Sequence, residues 1–281
     1  MSKLNNKIDF VALVTVTMAN SNGDPLNGNR PRTDYDGLGE ISDVCIKRKL
    51  RNRMQDLGKK IFVQSDDRCD DGYGSLSERA SKEVGNIKDL KEYSRIACEK
   101  WLDVRSFGQV FAFKGADKSG VSVGVRGPVS LHQAVSVSPV EVCSMQITKS
   151  VNGEPSEKRS SDTMGTKHFV RFGLYKVKGS INVQLAEKTG FSEEDAQTIK
   201  ECLRTLFEND ASSARPEGSM EVCKLYWWEH TSPMGQYSSA KVHRLVAVTP
   251  KPDVEIPTCI DDYNIALEEL PGLHCEVLDG I

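Results

Sequence analysis

Residues 10–18 read FVALVTVTM, nine positions almost continuously apolar and dense in β-branched side chains. That pattern is what a central strand shows when both of its faces are covered, and not the strict alternation of a half-solvated one. A chain built round it must supply cover for two faces. The segment that follows, residues 19–40 (ANSNGDPLNGNRPRTDYDGLGE), is crowded with Asn, Gly, Pro and Asp and predicts a long loop with several turns. Loops of this length inside compact domains are commonly functional.

Ser42 then caps a predicted helix whose apolar stripe is Ile46, Leu50, Met54 and Leu57, at helical spacing. Basic residues occupy both shoulders of the stripe: Lys47 and Arg51 on one, Lys49 and Arg53 on the other, each pair four residues apart. Residues 47–60 hold seven cations and one acid, Asp56. A helix serving only solubility mixes both signs, so this run predicts an anion-binding face, to which the preceding loop adds Arg30 and Arg32. With no aromatic companions nearby, these cations are expected to meet phosphate more than base edges.

Further along, residues 65–83 turn acidic and rich in Ser and Gly, predicting an exposed insertion that adds little to the core. A helix is predicted over residues 87–102, then strands around 108–114, 121–125 and 134–147. Residues 145–167 form a polar excursion with an Asn152-Gly153 turn signal, read as a projecting β-hairpin arm. Strands return at 168–185, a helix with a Ser192/Asp195 capping box and a Phe191–Ala196 staple at 192–207, and strands at 221–229 and 241–248. Without the insertions the order is strand, basic helix, strands, helix, strand: an α+β chain on the split βαβ, ferredoxin-like βαββαβ plan that RNA-recognition modules use, one domain over residues 1–281.

Charge adds a contrast that the overall net of −3 conceals. From residue 250 on there are eight acids against Lys251 alone, a net of −7, which leaves +4 on residues 1–249. No apolar run approaches the ~20 residues that cross a bilayer, and residues 1–9 lack a signal-peptide block, so a cytoplasmic protein with no membrane partner is expected. Eight cysteines without a C-x-x-C pair read as reduced thiols.

Three catalytic patterns compete with binding. Gly120, Gly124 and Gly127 fit neither phosphate-loop spacing, and the S-x-x-K at Ser238–Lys241 stands in reversed order to the K-T-G at Lys188–Gly190. Asp24, Asp34, Asp36 and Asp43 could hold Mg2+ against a phosphodiester, although Asp in NGDP and DYDG is ordinary turn chemistry. The five histidines are dispersed, without an H-x-x-x-H pair.

Five blocks in order, NSNGDPLNGNRPRTD, ISDVCIKRKLRN, WLDVRSFGQVFA, VRGPVS and MGTKHFVRFGLYKVKGSIN, run from residue 20 to about 182. Together they resemble the type I-C branch of the CRISPR-associated Cascade backbone subunits, the Csd-type proteins of the RAMP superfamily. The resemblance implies a modified RNA-recognition palm, an inserted finger region (residues 58–99) and a thumb β-hairpin (145–167), followed by the acidic segment 250–281. It also implies partners: crRNA bound along its phosphate backbone, further copies of the chain along the same RNA, other Cascade subunits, and target DNA through pairing with the guide. The implied RNA contacts are Arg30, Arg32, Lys47, Lys49, Arg51, Arg53, Arg126, Thr148, Lys149, Lys167 and His168, with Met145, Ile147, Val151 and Met164 as apolar wedges beside a flipped base. No cofactor, metal or catalytic residue is expected; the alternative is a metal-dependent ribonuclease of the same superfamily using Asp24 or Asp34.

Overall fold

The computed structural model describes residues 2–85, 87–112, 122–148 and 164–281. Its first strand, β1 (Ile8–Ala19), is followed by the short β2 (Gly23–Asp24) and β3 (Arg30–Pro31), β4 (Leu38–Ile41) and helix α1 (Asp43–Asp56). Helices α2 (Leu76–Glu83), α3 (Leu90–Lys100) and α4 (Leu102–Phe107) precede strands β5 (Gly108–Ala112), β6 (Ser122–Arg126), β7 (Val129–Leu131), β8 (Ala134–Pro139), β9 (Val142–Thr148) and the long β10 (Met164–Ile181). The remainder comprises α5 (Val183–Thr189), α6 (Glu193–Arg204), β11 (Met220–Glu229), α7 (Ser239–His243), β12 (Val246–Pro250), β13 (Tyr263–Leu267) and β14 (Cys275–Asp279).

The large sheet is antiparallel in the order β14-β11-β1-β10-β8-β4, with β7 and β9 pairing to opposite ends of β10. The chain is thus mixed α+β, and β1 is central, with Val14 opposite Tyr175 of β10 and Phe10 opposite Trp227 of β11. Phe10, Ala12, Val14 and Val16 share one face with Ile46, Leu50 and Met54 of α1 and Ile199 and Leu203 of α6. Val11 and Leu13 face the other way, against Tyr226, Trp228, Val242, Val246 and Tyr263. Two covered faces explain the unbroken apolar run of β1, as period-two alternation exists only where one face meets water.

The helix caps are as the sequence predicts. Ser42 accepts a hydrogen bond from the Cys45 N–H, and Ser192 and Asp195 form a reciprocal capping box. Residues 241–248 are not one strand, however: Ser238 caps the short helix α7, and only from Val246 does the chain extend. Buried histidines fix this helix and the turn before it to the sheet. His243 Nε2 donates to the Gly179 carbonyl at 2.9 Å. His230, whose Nδ1 accepts the Gln236 N–H at 3.1 Å, gives its Nε2 proton to the buried Asp9 carboxylate at 2.8 Å, which Lys7 also meets at 3.0 Å. Burial would raise the Asp9 pKa, but the bonds from His230 and Lys7 outweigh it and hold the carboxyl below its ordinary value.

Residues from Phe62 to Phe111, together with Val123, build a core of their own, which corrects the expectation that 65–83 adds little. Phe62 packs on Trp101 and Phe111 with ring centroids 4.7 and 5.0 Å apart, and Ala80, Val84, Ala97 and Val104 close round them. The acidic, Ser-rich stretch is tied to this cluster by Arg79, buried although charged. Its guanidinium donates to Asp71 at 2.5 and 2.8 Å and to the Phe62 carbonyl at 3.0 Å. The Arg79 bond lowers the Asp71 pKa to about 2. An unfolded aspartate titrates near ~3.9, so this contribution is complete above that pH and disappears as pH falls toward 2. Asp71→Asn should therefore lower the melting temperature at pH 6, with a gap from the wild type that closes steadily as both are melted at pH values approaching 3.

The acidic segment after residue 250 is part of the fold and no free tail. Strand β13 pairs with β12, and β14 adds an edge strand to the large sheet beside β11. Two of its acids are neutralised by the body: Glu276 meets Lys200 at 2.7 Å and Asp279 meets Lys224.

Candidate nucleic-acid interface

The basic helix α1 is not the free cationic face its sequence predicts. Every cation named on its shoulders has an anionic partner in the folded chain, two of the four supplied from distant segments. Lys47 pairs with Asp43 at 2.9 Å, one turn back. Lys49, only 4% exposed, pairs with Asp210 and stands over the Phe207 ring, and burial pulls its pKa below the ordinary lysine value. Arg51 donates to Asp103 at 2.8 Å, and Arg53 donates to Thr205 Oγ1 at 2.7 Å with Asp56 at 3.7 Å. The acids missing from residues 47–55 come from positions 43, 103 and 210, two of which no local pattern could pair with this helix. Lys49 has no surface with which to meet a phosphate, and Arg51 and Arg53 are committed to packing α1 against its neighbours.

A different set converges at the junction of the long loop with β9 and β10. These strands pair from Val142–Val170 outward to Thr148–Met164. Beyond the sheet body their side chains are exposed on both faces: Met145 and Ile147 (52% and 49%) share one face with Lys167, which lies opposite Met145, while Met164 (58%) and Thr148 share the other with His168. Such a ladder stands clear of the core. Lys149 and Val151 lie outside the described residues, as does the Asn152-Gly153 turn signal.

At the foot of this ladder Arg30 Nη1 donates to Ser144 Oγ at 2.9 Å, and Ser144 Oγ lies 2.9 Å from His168 Nδ1. Arginine has no acceptor, so the serine hydroxyl proton is free to go to Nδ1, which leaves the imidazole N–H on Nε2. Beside it lies a cleft of about 320 Å³ whose lining includes Asp24, Asn27, Arg30, Arg32, Thr33 and Glu40. Arg32 Nη2 meets Asp24 Oδ1 at 3.3 Å, while Arg30 and Lys167 have no ion-pair partner among the described residues. The arrangement offers two guanidinium groups, a hydroxyl and an imidazole at one face of the ladder's foot, with the Lys167 ammonium group on the opposite face, a donor set suited to phosphate and ribose. Arg126 is not part of it. That residue ends β6, beside β7, which pairs with the opposite end of β10, roughly 35 Å along the strand from His168.

Asp24 and Asp34 serve turns. Asp24 accepts the Leu26 N–H at 3.2 Å, and Asp34 accepts those of Asp36 and Leu38 at 3.0 and 2.8 Å. Alanine at either position should cost about 1 kcal/mol of stability in denaturant titration, the usual effect of losing a local side-chain cap. Two members of the site escaped the sequence reading. Ser144 has a signal only in register, because it becomes relevant once β9 is laid opposite His168. Tyr35, fully exposed in the same loop as Arg30 and Arg32, is the aromatic companion that the sequence reading did not credit to these cations.

Comparison with known proteins agrees with this architecture. The family model for CRISPR-associated protein Cas7 matches residues 6–268. A CRISPR-associated protein Cas7 from Haloferax volcanii is 26% identical over 232 residues, covering 75% of this chain and 67% of that protein. A chain of a CRISPR RNA-guided surveillance complex in a pre-nicking state superposes with a TM-score of 0.50 at 17% identity, covering 84% of this chain and 81% of that one, a likeness of fold. With the family model spanning nearly the whole sequence, the chain belongs to the CRISPR-associated protein Cas7 family.

Proposed function

We propose that this chain is a non-enzymatic backbone subunit of a type I-C Cascade surveillance complex, which holds the spacer part of a crRNA by its phosphates and riboses. Copies line up along the RNA, the bases stay open for pairing with target DNA, and other Cascade subunits cap the array. The five ordered sequence blocks and the family membership support this reading. The observation that carries it is the junction of Arg30, Ser144 and His168 at the foot of an exposed two-stranded ladder, with Lys167 on the ladder's other face. A guide strand must be held without regard to sequence, and phosphate and ribose oxygens, which these donors suit, are the same at every position.

On this reading the strand order β11-β1-β10-β8, with α1 and α6 on one face, is a modified RNA-recognition palm. The separate core within residues 62–123 belongs to the finger region, and β9 with the start of β10 forms the base of the thumb. Met145, Ile147 and Met164 are then wedges beside a flipped base, since each is about half exposed and apolar. Lys47, Lys49, Arg51 and Arg53 support the surface from below by fixing α1.

Purification of the tagged chain from cells carrying a CRISPR array tests the proposal. The expected product is guide-length RNA of array sequence, protected from added nuclease. Recovery of random cellular RNA would leave only a general single-strand binder. Cleavage of labelled RNA in Mg2+ or Mn2+ that disappears with Asp24→Ala or Asp34→Ala would favour the ribonuclease alternative.

A further inference from the structure

Two side chains of the long loop project almost wholly into solvent, Leu26 and Tyr35. Neither belongs to a floppy stretch. Leu26 lies in a 3-10 turn that begins after Asp24, whose carboxylate accepts the Leu26 N–H. Tyr35 stands at the tip of a second turn, closed by the Thr33–Gly39 bridge, by the Asp34 N–H to the Leu38 carbonyl, and by the two bonds that Asp34 Oδ1 accepts. Large side chains of this kind normally find cover in their own chain. Here turn geometry keeps both out of it.

What lies between the two tips indicates the missing cover. Arg30 and Arg32 occupy the strand joining the turns, and the residues next to the tips (Asn27 on one side, Thr33 and Gly37 on the other) are walls of the same cleft of about 320 Å³. Its lining is chiefly polar and carries both signs, Arg30 and Arg32 with Asp24 and Glu40, so a hydrophobic protein anchor would find no matching pocket, whereas phosphate would find the Arg30 guanidinium and compete with Asp24 for Arg32. An exposed aromatic ring at the tip of the turn that follows such cations is what an unpaired nucleobase stacks on. We infer that Tyr35 is a stacking platform for one base of the RNA strand whose phosphates lie on Arg30 and Arg32, with Leu26 giving an apolar contact at the neighbouring turn. The inference rests on the RNA-binding reading of this cleft and adds a base contact to it. Stacking is tolerant of base identity, so it is compatible with a guide of any sequence.

The test uses the full chain and two labelled probes of equal length and charge, oligouridylate and an abasic ribose-phosphate oligomer, followed by fluorescence anisotropy at one salt concentration. Tyr35→Ala should weaken oligouridylate binding by roughly 5- to 150-fold, the range for losing one aromatic–base stack, and leave the abasic oligomer unaffected. Tyr35→Phe should restore the wild-type affinity, because the ring and not the hydroxyl makes the stack. Thermal melts establish that both variants are folded. An unchanged affinity of Tyr35→Ala for oligouridylate, or an equal loss on both probes, overturns the stacking role, while Arg30→Ala weakening both probes upholds phosphate binding at the cleft. If the wild-type chain binds neither probe, the RNA-binding reading fails, and the stacking inference with it.

Discussion

Asp103→Ala is expected to be the most destabilising single substitution on the helix side of the sheet, by ~3–5 kcal/mol, the cost of uncovering a buried charged partner. Asp103 is only 1% exposed and joins three segments. Its carboxylate accepts the Phe62 N–H at 2.6 Å, the Val63 N–H at 3.1 Å and Arg51 Nε at 2.8 Å, so removing it orphans two backbone donors and a guanidinium together. Urea titration should show the loss as a lower midpoint with an unchanged slope. Asp103→Asn keeps acceptor oxygen for one or two of the three donors but not the charge, and should fall between the alanine variant and the wild type. A loss below ~1 kcal/mol in the alanine variant would mean that water or another group takes over these donors, against the hub role assigned to this residue.

The second large effect separates the surface that meets RNA from the cations that hold the fold. Replacing Arg30 and Lys167 together by alanine should flatten the dependence of log affinity on log salt by roughly 1.4 if each neutralises one phosphate, at ~0.7 per phosphate for a single strand. Neither side chain has an ion-pair partner among the described residues, so folding should be little affected. Lys49→Ala should do the opposite: stability falls because Asp210 keeps only the more distant Arg215, at 3.3 Å, while the salt slope is retained. An unchanged slope in the Arg30/Lys167 double variant would displace the RNA contacts from the foot of the ladder. A flattened slope in the Lys49 variant would return them to α1.

The contrast within α1 shows where sequence reading stops. Its helix, its apolar stripe and its Ser42 cap depend on residues within a few positions of each other, and helical spacing alone decides which of them share a face. The same is true of the Ser192 capping box and of β1, whose unbroken apolar run states that both faces will be covered. Whether a cation on that helix meets water or a carboxylate is decided elsewhere. Asp103 and Asp210 arrive from α4 and from the segment after α6, and their approach depends on how those helices pack on the sheet. Local counting therefore reported an excess of positive charge that the folded chain largely neutralises.

The acidic segment repeats the point with the opposite sign. Its composition shows a net of −7 and no sign of where the partners lie, yet strand pairing at the edge of the large sheet carries Glu276 to Lys200 and Asp279 to Lys224. The dispersed histidines behave likewise, since Asp9 and His230 meet only because β1 and β11 are neighbours in the sheet. Residue types, helix faces, caps and turns were determined by the sequence itself, because their energies come from neighbours along the chain. The pairing of charges, and the meeting of Arg30 with Ser144 and His168 across more than a hundred positions, was decided by the tertiary structure alone, because electrostatic and hydrogen-bond partners are set by distance in space.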